Sequence, residues 1–115
     1  MKLAAASLNQ TPIDWANNKS NILEAISQAK KEGVKLLCLP EMCITGYGCE
    51  DLFLHSWLAD KALEVLQEIL PETKGIATTL GLPYHFQGKV YNVICLVEDG
   101  QILGFQAKQN LPNDG

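Results

Sequence analysis

A glutamate and a lysine, each placed after an apolar strand, are the side chains of this sequence best suited to acid–base and electrostatic chemistry. Glu41 comes after Pro40 and the largely apolar run 34–39. This run predicts a strand buried on both faces. Lys108 directly follows a second apolar strand, predicted over 101–107. Ligands of α/β folds bind at the carboxyl ends of such strands. A carboxylate partly desolvated there can act as a general base, and we expect both residues to face one pocket.

The elements that must position this pair have the order β-α-β-α-β followed by an antiparallel hairpin. Asp14 is a plausible N-cap of the first helix and Gly33 fits its C-terminal end. Asp99-Gly100 between apolar runs predicts the hairpin turn. A loop over 40–55, long enough to be functional, separates the second strand from the second helix. The predicted elements are strand 2–9, helix 15–31, strand 35–39, helix 56–70, strand 75–82, strand 90–97 and strand 101–107.

This order favours an α/β fold other than that of receiver or flavodoxin-like domains. Those domains need a helix between their later strands, and residues 90–107 leave no room for one. A receiver would also carry paired acids after its first strand, where this sequence has Asn9-Gln10.

Size and composition indicate a single domain and exclude several classes of partner. The chain has 115 residues, of which 47% are hydrophobic, and a net charge of −4. No basic cluster goes beyond Lys30-Lys31, so nucleic acid is not expected as a partner. No apolar run approaches the roughly 18–20 residues of a membrane span. A cytoplasmic chain with reduced thiols is the default expectation.

The cysteines and histidines do not form a convincing metal site. Cys38, Cys43 and Cys49 lack the close pairs typical of structural zinc, and we interpret them as buried or loop thiols. His55 and His85 are far apart in sequence and are interpreted as packing residues. No metal and no cofactor are therefore expected to bind to this segment.

Several short motifs taken together resemble the nitrilase superfamily of carbon–nitrogen hydrolases. They are Leu39-Pro40-Glu41, the loop 44–49, the hairpin from Val90-Tyr91-Asn92 to Gly104, and Lys108. Within that superfamily, segments 45–51, 55–57 and 109–115 look most like the amino-terminal glutaminase domains of glutamine-dependent NAD synthetases. The resemblance covers the whole chain.

The resemblance implies an α-β-β-α sandwich with a Glu-Lys-Cys catalytic triad. It implies that Glu41 is the general base, that Lys108 stabilises the oxyanion, and that Tyr47 lines the glutamine pocket. Without it, Glu41 would be interpreted as a solvated loop carboxylate, Lys108 as a surface lysine and Tyr47 as an aromatic packed under its loop.

The resemblance also implies that the nucleophilic cysteine lies several dozen residues beyond the lysine, whereas this sequence ends seven residues past Lys108. Residues 1–115 are then the amino-terminal portion of a glutaminase domain, inactive alone, with the rest of that domain and a synthetase domain absent. The implied reaction supplies ammonia from glutamine for amidation of nicotinic acid adenine dinucleotide to NAD. ATP and magnesium are implied for the synthetase domain, and pairing of sandwiches implies a homo-oligomer.

Two alternatives remain open from the sequence. A free-standing nitrilase-type amidase would share Glu41 and Lys108. A natural short protein of 115 residues could instead be a non-enzymatic interaction module. The continuation of the gene separates the first alternative from a synthetase, and a soluble, cooperatively folding monomer would favour the second.

Overall fold

Two helices pack on one face of a five-stranded sheet in the computed structural model, which describes residues 1–46 and 56–107. The strands lie in sequence order across the sheet, with β1, β2 and β3 parallel and the remaining pairs antiparallel. This confirms the α/β class and supplies one helix layer and one sheet of a nitrilase-like sandwich. Neither described helix is long and apolar enough to cross a membrane. The elements are β1 (Leu3–Ala5), α1 (Trp15–Lys31), β2 (Leu36–Cys38), α2 (Ser56–Ile69), β3 (Ala77–Phe86), β4 (Lys89–Glu98) and β5 (Gln101–Ala107).

Helix α1 has the predicted bounds because its ends carry strong local signals. The Asp14 carboxylate accepts a hydrogen bond from the Asn17 backbone N–H at 3.2 Å, which caps the first turn. Gly33, with φ at +74°, adopts the left-handed conformation that ends the helix. Its core face packs on the sheet through Ile22 and Ile26, both nearly inaccessible to solvent.

Helix α2 ends one residue before its predicted end and continues into a 3₁₀ turn over Leu70–Thr73. Pro71 lies within this turn, where its missing N–H interrupts the α-helical pattern. The apolar stripe of α2 is buried at each of its members. These members are Leu58, Ala62, Val65, Leu66 and Ile69.

The first two strands are shorter and less buried than predicted. β1 spans Leu3–Ala5, and Leu3 is 62% exposed. In β2 only Leu37 is buried, and Cys38 is exposed. The prediction of burial on both faces, made for the run 34–39, was therefore wrong, because the helices cover only one face of the sheet.

Strand β3 runs four residues past its predicted end and includes Pro83. β2 pairs with β3 only as far as Thr79, so Pro83 lies where β3 no longer has a strand on that side. Proline is tolerated at such positions because no ladder hydrogen bond is lost. The turn from β3 to β4 contains Gln87 and Gly88, both with positive φ.

The hairpin between β4 and β5 turns at the predicted residues. Asp99 and Gly100 have φ of +51° and +79°, the signs required by the favoured two-residue hairpin turn. The turn is fastened to the 3₁₀ segment, because the Gly100 N–H donates to the Thr73 hydroxyl at 2.8 Å. This contact helps to fix the register in which β5 pairs with β4.

The two faces of the sheet differ in what they contact. On β4, Val93, Cys95 and Val97 are buried and belong to the core that contains both helices. The alternation of side chains along a strand places Asn92 and Ile94 on the opposite face. The helix-free face therefore carries the residues that can reach the turn after β2.

Candidate active site

Glu41 opens a turn that begins three residues after the last residue of β2. Its side chain is half-buried, whereas Met42 through Gly46 are buried. The turn is held to β3 by backbone contacts: the Ile44 N–H donates to the Gly81 carbonyl at 3.3 Å. Just before the turn, the Leu39 N–H donates to the Thr79 hydroxyl at 3.2 Å. The predicted strand-end position of Glu41 is thus built by hydrogen bonds to the neighbouring strand.

Gly81 lets the backbone of Glu41 lie directly on β3. A Cβ at this position would be 2.9 Å from the Glu41 Cα and would also clash with the Met42 backbone nitrogen. Both atoms belong to the main chain and cannot rotate away. A glycine in a strand interior often marks a close approach of another backbone, and here that backbone carries the candidate base.

Asn18 of helix α1 binds the turn through hydrogen bonds of its side chain. Its side chain is fully buried, and its amide nitrogen donates to the carbonyls of Thr11 and Ile44 at 2.8 and 3.3 Å. Its Oδ1 accepts from the Thr11 N–H at 2.9 Å. Every polar atom of this buried amide has a partner, so the loop before α1 and the turn after β2 are held as one unit.

Two further contacts join the same two loops. Gln10 donates through Nε2 to the Cys43 carbonyl at 2.6 Å. The Ile13 N–H donates to the Thr45 carbonyl at 2.8 Å. Gly46 has φ at +81°, and a Cβ there would lie 2.8 Å from the Thr11 carbonyl carbon. Glycine at 46 is therefore required both by backbone conformation and by the proximity of the neighbouring loop.

Asn92 of β4 reaches the Glu41 carboxylate. Its Nδ2 lies 3.4 Å from Glu41 Oε1, a long hydrogen bond between residues 51 positions apart in sequence. Its Oδ1 is buried and lacks a hydrogen-bond partner among the described residues. The candidate base is thus contacted by a neutral amide donor from β4.

Of the three predicted site residues, the structure locates only Glu41. Tyr47 and Lys108 lie outside the described residues, so the meeting of Glu41 with Lys108 stays a prediction. Strand β5 ends at Ala107, which lies opposite Val93, the residue after Asn92.

The buried cysteines near the site are poor nucleophiles. Burial raises the pKa of Cys43 to about 12, although a contact with the Gly81 carbonyl lowers it in part. Burial also raises the pKa of Cys95 to about 11. The thiolate is the reactive form, so both remain protonated and unreactive at neutral pH. Within 1–46 and 56–107, no group of three or more His, Cys, Asp or Glu side chains could hold a metal ion.

Sequence reasoning missed three residues that build this site. Asn18 carried a signal, since it is a polar residue in register with Ile22 and Ile26 on the apolar face of α1. Gly81 also carried one, as an isolated glycine in an apolar strand. Asn92 belonged to a motif of the resemblance, but nothing local assigned its side chain a contact.

This fold, with an acid at the end of an inner strand, defines a nitrilase-like α/β protein, and the chain belongs to the carbon–nitrogen hydrolase family. The model of that family matches residues 2–114. Over 119 residues the chain is 39% identical to a glutamine-dependent NAD(+) synthetase of Oryza sativa subsp. indica, covering 100% of this chain and 16% of that protein.

Solved structures agree with this assignment. A glutamine-dependent NAD(+) synthetase from Cytophaga hutchinsonii superposes with a TM-score of 0.92 at 56% identity, over 96% of this chain and 19% of the other. An amidase from Nesterenkonia sp. AN1 superposes with a TM-score of 0.77 at 23% identity, over 94% of this chain and 44% of the other, which shows the fold alone. The chain thus spans about a fifth or less of the synthetases named here.

Proposed function

We propose that these residues are the amino-terminal part of a glutamine-hydrolysing domain in a glutamine-dependent NAD synthetase. The observation that carries the proposal is the 56% identity to the Cytophaga hutchinsonii synthetase over 96% of this chain. The ammonia released would serve ATP-dependent amidation of nicotinic acid adenine dinucleotide. ATP and magnesium act outside residues 1–115 in this proposal, as does the nucleophilic cysteine. The protein works in the cytoplasm and self-associates.

Glu41 is the general base in the proposed reaction. Its carboxylate takes the proton of the attacking thiol and delivers it to the departing nitrogen, so that ammonia leaves as the carbon–nitrogen bond breaks. The half-buried position of Glu41 at the start of a buried turn supports this role, because the turn holds the residue while its side chain stays accessible.

Lys108 is the proposed stabiliser of the oxyanion that forms on the glutamine carbonyl oxygen. This role is supported by the register of β5. Ala107, the residue before Lys108, pairs with Val93, and the adjacent Asn92 contacts the Glu41 carboxylate. Tyr47 is proposed to line the glutamine pocket, one residue beyond the buried and tightly held Gly46.

Glutaminase assays on the full-length protein test these roles. Glu41→Gln and Lys108→Met should each lower kcat/KM for glutamine by about 100-fold or more, the usual effect of losing such a group. Matched controls are Glu72→Gln and Lys74→Met, which alter exposed residues at the 3₁₀ turn and should stay within about twofold of wild type. Near wild-type rates for either site variant would refute its role.

The same assay separates the synthetase from the amidase alternative. A glutaminase should release ammonia from glutamine in preference to short aliphatic amides. Preference for the aliphatic amides would favour a free-standing amidase, which the Nesterenkonia structure supports only at the level of the fold.

A further inference from the structure

The contact between Asn92 and Glu41 follows from the way the sheet is built. In the ladder between β3 and β4, Gly81 lies opposite Ile94 and Pro83 lies opposite Asn92. Opposed residues share a face, so Gly81 and Asn92 lie on the face away from the helices. The missing side chain of Gly81 leaves room for the Glu41 backbone on that face. Asn92, one diagonal step away, then reaches the carboxylate.

The chemistry of the amide suits both forms of a working acid–base residue. An ionised carboxylate can only accept hydrogen bonds, and Asn92 Nδ2 offers a neutral donor 3.4 Å from Oε1. Once Glu41 holds a proton, its O–H needs an acceptor. The Asn92 amide carries one, because Oδ1 has no hydrogen-bond partner among the described residues.

The buried Oδ1 of Asn92, which lacks a hydrogen-bond partner within residues 1–46 and 56–107, is an independent sign of function. Buried polar atoms are nearly always hydrogen-bonded, so an exception needs an explanation such as a catalytic role. An aliphatic residue at position 92 would avoid the free-energy cost of burying an unpaired polar atom. The burial of an amide here, at the cost of an unpaired polar atom, points to a use for that amide at this position.

We propose that Asn92 is a positioning residue that holds the Glu41 carboxylate during proton transfer, an inference that rests on the proposed glutaminase function. It acts through Glu41. Removing its donor makes the carboxylate more basic and less well oriented. Replacing it with aspartate, which has almost the same shape, puts a second acceptor-only group against the first and favours protonation further.

The first experiment measures the pH dependence of glutamine hydrolysis by the full-length protein. Asn92→Ala should lower kcat about tenfold with KM within about twofold, and should move the acid limb of the kcat/KM profile up by about 0.5–1 pH unit. Asn92→Asp should move that limb further. Asn17→Ala removes an exposed amide from α1 and should leave the profile unchanged.

The second experiment does not depend on turnover. The amide donor stabilises the ionised form of Glu41 more than the protonated form, so its contribution to stability is largest at neutral pH and falls as the carboxyl takes up a proton. The difference in unfolding temperature between wild type and Asn92→Ala should therefore be larger at pH 7.5 than at pH 4. In a Glu41→Gln background, the difference should not vary with pH.

The outcomes separate this inference from the proposed function. A wild-type protein without glutaminase activity would refute the proposed function. The unfolding experiment would still test whether Asn92 contacts Glu41. An unchanged acid limb in both Asn92 variants of an active enzyme would overturn the positioning role alone. A loss confined to KM would also overturn it, since it would assign Asn92 to substrate binding.

Discussion

Cys43 shows how burial decides the chemistry of a side chain that lies close to a reactive position. It is two residues from Glu41, yet its thiol is fully enclosed and its Sγ lies 3.9 Å from the Gly81 carbonyl. Desolvation raises its pKa to about 12, because the charged thiolate loses water. Proximity in sequence therefore does not make Cys43 the nucleophile.

The raised pKa values predict strong protection from alkylation. At pH 8, the thiolate fractions of Cys43 and Cys95 should be about 100-fold or more below those of ordinary cysteines. Both should react with iodoacetamide at least about 100-fold more slowly in native protein than in urea, as followed by peptide mass spectrometry. The unfolded chain is the control, since the same two peptides are compared. Equal native and unfolded rates would contradict the burial of these thiols.

At the scale of elements, the site depends on a fit between a strand and a turn. β3 presents the Gly81 backbone, and the turn after β2 lies on it with no space for a methyl group. Asn18 secures the other side of the turn through fully satisfied hydrogen bonds. The candidate base is therefore fixed by packing between elements.

Gly81→Ala should disturb the turn and with it catalysis. The added methyl would overlap the main chain of Glu41 and Met42, and such overpacking costs about 1–3 kcal/mol in the free energy of unfolding. Displacement of the base by about 1 Å should lower kcat/KM about 100-fold. Gly104→Ala is the matched control, because nothing lies within 4 Å of its Cβ position. Denaturant unfolding and glutaminase assays measure both effects.

A Gly81→Ala protein with wild-type stability and rate would show that the turn can move away from β3 without consequence. A loss of stability in Gly104→Ala of the same size would show that a general effect on strands is responsible.

Across the chain as a whole, the helix-free face of the sheet exposes apolar side chains within the described residues 1–46 and 56–107. Leu96 and Leu103 are exposed there, at 37% and 56% respectively. A stretch of exposed apolar side chains on a sheet favours association. The described part of the chain holds the candidate base Glu41, while burial keeps the thiols of Cys43 and Cys95 protonated.

Residues 1–115 expressed alone should therefore associate and lack glutaminase activity. Sedimentation velocity should show a concentration-dependent increase in size. Leu103→Lys should reduce this increase by placing a charge on the helix-free face. Ser20→Lys adds the same charge to an exposed position of α1 and should have little effect. A monomer at all concentrations with cooperative unfolding would instead favour an independent interaction module.

Features that arise from local interactions could be predicted from the amino-acid sequence. Caps and apolar spacing fixed α1 to the residue, and Asp99-Gly100 fixed the hairpin turn, because these signals act within a few residues. The position of Glu41 just after β2 was also predictable, because the apolar run that forms the strand ends at Leu39 and Pro40 follows.

The surroundings of Glu41 depend on contacts that form only in the folded protein. The contact with Asn92 joins residues 51 positions apart, and the space beside Gly81 exists only when β3 and the turn meet. The exposure of Cys38 depends on which face the helices cover. Such contacts depend on strand register and on the side from which helices pack, and neither is encoded in any short segment of the chain.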